Sequence, residues 1–172
     1  FQLYIVIILN RKRNRGKVMT QYSTTNYRAL HQQLKGLLEG EHDLIAILSN
    51  ASALINDHLD NVNWVGFYLV KNEELLLGPF QGHPACVHIP IGKGVCGTAV
   101  SEGAVQRVDD VNAFPGHIAC DPNSQSEIVV PIRRGGSIIG VLDIDAPVTH
   151  RFTETDAQGL KEVVTIIEDH LA

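Results

Sequence analysis

The chain has 172 residues, with 14 Lys and Arg against 19 Asp and Glu, a formal net charge of −5, 44% apolar residues and three cysteines. That length suits one domain with its own core, and an odd cysteine count speaks against a secreted disulfide framework. From residue 19 onward 9 basic residues face 19 acidic ones, a balance of −10 that argues against nucleic acid and anionic membranes as partners.

The first eighteen residues, FQLYIVIILNRKRNRGKV, hold five of the fourteen basic residues and no acid. Their apolar run is too short to span a bilayer, and its charges follow it rather than precede it, the reverse of a signal peptide. The single methionine is Met19. Residues 1–18 are therefore expected to be an added or read-through extension, and residues 19–172 a single domain of the cytoplasm.

Apolar positions at helical spacing (Leu30, Leu34, Leu37, Leu38) predict a helix over 26–38, and a second stripe predicts one over about 43–59. The period then changes. Residues 63–70 and 74–80, joined by Lys71-Asn72-Glu73, predict a β-hairpin. Glycines 92, 94 and 97 open a short helical turn. A short strand is expected at 106–108, and a loop with one helical turn over 109–121. EIVVPIRR and SIIGVLDID predict a second hairpin across Gly135-Gly136. The closing helix has Thr153 as N-cap and Asp156 at the third position, close to a capping box.

Hairpins make antiparallel neighbours, so the predicted fold is α+β. It has a mostly antiparallel sheet of about six strands, covered by helices from the two ends of the chain. This disposes of one motif. Gly92-Lys93-Gly94-Val95-Cys96-Gly97 matches G-x-G-x-x-G, but no βαβ unit surrounds it, so it reads as a glycine-rich turn into a helix.

Cys86, Cys96 and Cys120 all lie in stretches dense in Gly, Pro and His. Their spacing lacks the close pairs of a structural zinc site, and although His83, Cys86 and His88 could supply three ligands, no metal is expected. As small buried apolar residues they would sit inside apolar runs, and they do not. Redox or nucleophilic chemistry remains. Cys96 near a helix N-terminus is the thiol that pattern alone nominates, because the dipole lowers a thiol pKa there. Cys120, with His117 nearby and Asp121 following, stays open as the alternative. Strand parity puts Trp64 and Tyr68 on one face, and Asp143 and Asp145 on one face, with Glu127 opening the neighbouring strand. Such groups would form a pocket for a small ligand bearing an ammonium.

The segments NWVGFYL, LGPFQGHPACVHIPIGKGVCGTAV, GHIACDPNSQSEIVVP and IIGVLDIDAP closely resemble the free methionine-(R)-sulfoxide reductases, enzymes built on a GAF domain. The likeness covers residues 20–172. It implies that Cys120 attacks the sulfoxide sulfur, Cys86 resolves the sulfenic acid as a disulfide, and Cys96 plays an auxiliary redox part. It implies a substrate pocket at Trp64, Tyr68, Glu127, Asp143 and Asp145, with Asp109 added. No cofactor is implied; the partners implied are free L-methionine-(R)-sulfoxide and thioredoxin, with room for a homodimer. The alternative is a GAF sensing module that binds a small ligand without catalysis. Such modules are usually fused to output domains, and none is expected beyond the closing helix here.

Overall fold

The computed structural model describes residues 25–171, so the expectation for residues 1–18 lies outside the described residues. Helix α1 is Tyr27–Leu38 and α2 is Leu44–His58. Each is capped by the side chain that precedes it: Asn26 accepts from the Ala29 amide, and Asp43 from the Ala46 amide. Strands β1 (Trp64–Lys71) and β2 (Glu74–Gln81) make the first hairpin. Its two-residue turn puts Asn72 and Glu73 at φ of 51° and 64°, the twist that a tight hairpin between right-twisted strands needs.

A three-residue strand, β3 (His88–Pro90), then leads into α3 (Gly94–Glu102), followed by β4 (Gln106–Val108) and a 3₁₀ turn at Val111–Ala113. Strands β5 (Ser126–Arg134) and β6 (Ser137–Ala146) make the second hairpin, and α4 (Glu154–Leu171) closes the chain. At its start Thr153 and Asp156 bond reciprocally, the Asp156 amide to the Thr153 hydroxyl and the Thr153 amide to the Asp156 carboxylate. The expected α+β architecture is present, with one addition: β3 has no alternating pattern in His-Ile-Pro, and only pairing with β2 makes it a strand.

The six strands are ordered β3-β2-β1-β6-β5-β4, and every pairing is antiparallel. Alternation splits them into two faces. Val65 and Phe67 of β1, Ile128, Val130 and Ile132 of β5, and Leu142 and Ile144 of β6 pack against α1, α2 and α4. The other face carries Trp64, Tyr68, Val129 and Val141 and packs against α3 and the segments around the three cysteines. The helices from the chain ends cover one face. The cysteines lie over the other.

Candidate active site

Strand register decides which side chains meet on the cysteine-bearing face. Trp64 pairs with Asp145, and Asp145 pairs with Glu127, so one cross-strand row runs from β1 through β6 to β5. Directly paired residues point to the same face, and so do residues two apart. The next row is Gly66, Asp143 and Val129, and the third opens with Tyr68 opposite Val141. Five of the six residues assigned to the pocket by resemblance therefore stand on one side of three adjacent strands. Gly66 permits the aromatic wall, since a Cβ there would run into the Trp64 ring and Phe80. Trp64 stacks on Phe80 with ring centroids 5.2 Å apart and on Tyr68 at 5.8 Å. Polar tips fix both rings: the Trp64 indole N–H donates to the His83 carbonyl at 3.1 Å, and the Tyr68 hydroxyl to the Cys86 carbonyl at 2.9 Å.

These residues line a cavity of about 480 Å³, counting its open side, whose wall also includes Cys96, His117, Cys120, Asp121 and Ser124. Cys86 and Cys120 are joined in a disulfide with Cα atoms 5.3 Å apart. Cys120 thus borders the cavity while bonded to the residue whose carbonyl holds Tyr68. Cys96, the third residue of α3, is the free thiol and is buried.

Three carboxyls crowd the floor. Burial pushes the Asp143 carboxyl up to about 6, and Glu127 and Asp145 are raised well above the usual range, first by burial and next by the charge on Asp143. Hydrogen bonds with Cys96 and Glu127 lower the Asp143 carboxyl against the effect of burial, so it is the first to ionise, and mutual repulsion then keeps the other two protonated. One Asp143 oxygen is buried with no hydrogen-bond partner. A buried carboxylate oxygen left unpaired is costly, and a cationic ligand group is the natural complement.

The environment of Cys96 reverses the expectation from the helix dipole. Its Sγ lies 3.8 Å from Glu127 Oε1, and burial followed by the neighbouring carboxylates raises its thiol well above the ordinary value. A helix N-terminus contributes a partial positive charge near its first turn; two buried acids outweigh it. Cys96 is held as a protonated thiol.

Asp109 stands apart from this cluster. It does not line the cavity; its carboxylate is half-exposed beside Arg107 at 3.6 Å and His150 at 3.3 Å. The reason is its place just past β4, the outer strand of the sheet, where the chain turns toward His150, whose amide bonds the Asp109 carbonyl. Sequence reading left His117 and Ser124 out of the site. His117 stands 4.0 Å from Glu127, and desolvation lowers its pKa, keeping the imidazole neutral. Its signal was its place three residues before Cys120. Asp121 accepts from Asn63 Nδ2 at 2.9 Å and from the Asn123 amide at 2.9 Å, which ties down the chain immediately after Cys120.

A GAF domain model matches residues 41–172. The chain is 57% identical over 149 residues to protein YtsP of Bacillus subtilis (strain 168), covering 86% of this chain and 91% of that protein. It is 52% identical over 149 residues to the free methionine-R-sulfoxide reductase of Escherichia coli (strain K12), covering 87% of this chain and 90% of that protein. A structure of fRMsr of Staphylococcus aureus in complex with substrate superposes with a TM-score of 0.86 at 64% identity, over 89% of this chain and all of that one.

Proposed function

The chain belongs to the GAF domain family and, within it, to the free methionine-(R)-sulfoxide reductases, and from that membership we propose how its own side chains reduce free L-methionine-(R)-sulfoxide to L-methionine. The observation that carries the reading is the placement of Cys120, bonded to Cys86, on the wall of a cavity floored by three buried carboxyls. Asp143, the first of the three to ionise, takes the substrate ammonium, with Asp145 beside it. Trp64 and Tyr68 flank the ammonium and the thioether chain. Glu127 keeps a proton and gives it to the sulfoxide oxygen, which is a poor leaving group until protonated.

With the disulfide reduced, Cys120 attacks the sulfoxide sulfur as a thiolate. The protonated oxygen passes from the substrate sulfur to the Cys120 sulfur as the transient S–S bond breaks, so methionine leaves and Cys120 becomes a sulfenic acid. The Cys86 thiol then displaces water from that sulfenic acid and forms the disulfide. An external dithiol, thioredoxin in our reading, takes up the oxidation by exchange, and two thiols are restored. Per turnover one sulfoxide and one dithiol give one methionine, one disulfide and one water. Cys96, held protonated, serves as an auxiliary thiol rather than as the attacking group.

The cycle calls for no metal or organic cofactor. A thioredoxin-fed cycle belongs in a reducing cytoplasm, and no described helix is long and apolar enough to cross a membrane. A homodimer is part of the same proposal and is checked by light scattering. The test of function is direct: the purified chain, free L-methionine-(R)-sulfoxide and dithiothreitol are mixed, and methionine is measured. No methionine above the no-enzyme control rejects the reductase and leaves the sensing module.

A further inference from the structure

The floor of the cavity also has the make-up of a cation site of another kind. The Cys96 sulfur and one carboxylate oxygen each from Glu127 and Asp143 lie within 4.8 Å of one another, and all three residues are buried. Two zinc ligands, one sulfur at about 2.3 Å and one oxygen at about 2.0 Å in tetrahedral geometry, stand about 3.5 Å apart. The separation between Cys96 Sγ and Glu127 Oε1 is 3.8 Å, within a small side-chain adjustment of that value. An independent observation points the same way: Asp143 is 5% exposed, lines the cavity and has an oxygen with no hydrogen-bond partner.

We propose that Cys96, Glu127 and Asp143 form a site for a thiophilic divalent cation of the zinc class, and that a cation held there blocks the cavity. The donor set selects the class. One thiolate with two carboxylates disfavours magnesium and calcium, which take oxygen ligands alone, and suits zinc, cadmium or cobalt. Three protein ligands leave a fourth position open toward the cavity for water. Binding is ligand exchange without redox change: the Cys96 S–H bond gives up its proton to solvent, with any proton held by the carboxyls, and metal–ligand bonds replace it. The ion would stand where we place the substrate ammonium, so it acts as an inhibitor. The site itself does not rest on the reductase reading; only this consequence does.

The test uses the whole chain with the Cys86–Cys120 disulfide intact, which removes the two other thiols from competition. Zinc ion is titrated calorimetrically without added thiol, in two buffers of different ionisation enthalpy so that proton release is counted. One equivalent per chain with proton release is expected, and cobalt ion in its place should give a near-ultraviolet thiolate-to-metal band. Cys96→Ser should lose the band and weaken that equivalent about tenfold or more, since changes even beyond the ligands cost about 10–100-fold. Glu127→Gln should weaken it similarly while keeping the band, so the proposal does not hang on one variant folding. No stoichiometric binding to the wild type, or binding by Cys96→Ser equal to the wild type, overturns the site. Free methionine should displace the ion beyond what glycine does by chelation in solution. An ion held through Cys96 that methionine fails to displace upholds the cation site and removes the ammonium assignment instead.

Discussion

The Tyr68 hydroxyl donates to the backbone carbonyl of Cys86 at 2.9 Å. Tyr68 belongs to β1 in the centre of the sheet, whereas Cys86 lies on an irregular segment before β3, and this one bond fastens the disulfide partner to the rigid scaffold. Tyr68→Phe keeps the ring and removes the bond. A typical hydrogen bond contributes about 1 kcal/mol, so stability should fall by about that much. In rapid-mixing experiments methionine release should keep its rate, while disulfide formation should slow because Cys86 is less well placed. Slowing of methionine release alone would contradict this separation.

The two disulfide cysteines should fail differently. Cys120→Ser should abolish turnover even with dithiothreitol, because no attacking thiolate remains. Cys86→Ser should form about one methionine per active site and then lose thioredoxin-linked cycling. Single-turnover counting by chromatography separates the two, and full steady-state activity in Cys120→Ser would remove the assignment.

The carboxyl floor should make the amino group of the substrate indispensable. N-acetylation removes the ammonium and leaves the Asp143 carboxylate buried and unpaired, so kcat/KM should drop by orders of magnitude. One fixed line of attack should likewise accept the R epimer at sulfur and refuse the S epimer. Comparable rates on free and N-acetylated substrate would show that the pocket is not closed around an ammonium.

The same carboxyls should cost stability at neutral pH. Asp143 titrates at 3.8 when unfolded and about 6 when folded, so the folded form holds its proton longer. The stability this contributes is complete below pH 3.8 and is lost as pH rises to about 6. The difference is roughly 3 kcal/mol, at about 1.36 kcal/mol per pH unit. Asp143→Asn should therefore melt higher than the wild type at pH 8, with the gap closing toward pH 4, while substrate binding collapses. Thermal melts across that range decide it; a variant less stable at pH 8 would mean that the buried charge is already compensated.

Much of this was legible from strand arithmetic. Trp64 with Tyr68 and Asp143 with Asp145 share faces because the period of a strand is two, and the hairpins could be read from turns and apolar runs. What parity could not supply was the register between distant strands, which alone places Asp145 beside both Trp64 and Glu127. The Cys96 thiol was misjudged from pattern because a local dipole can be seen in sequence, whereas two carboxyls arriving from β5 and β6 cannot. The position of Asp109 outside the cavity wall was hidden for the related reason that adjacency to β4 does not say which way the chain turns next. His117 was noticed only as a neighbour of Cys120, and folding of the 109–125 segment over the sheet brought it to Glu127.

The disulfide joins residues 34 apart and so encloses β3, α3, β4 and the 3₁₀ turn in a covalent ring. Closing a ring of that size removes enough freedom from the unfolded chain to stabilise the fold by roughly 3 to 4 kcal/mol on the chain-entropy account. Each sulfoxide reduced therefore leaves a sturdier, ring-closed protein, and each exchange with a dithiol loosens it again. The melting temperature becomes a gauge of oxidation: a population that has met more sulfoxide than reductant should outlast, under heat or protease, one kept reduced. Melting scans with and without dithiothreitol, with Cys86→Ser as the chain that cannot close its ring, would display that difference.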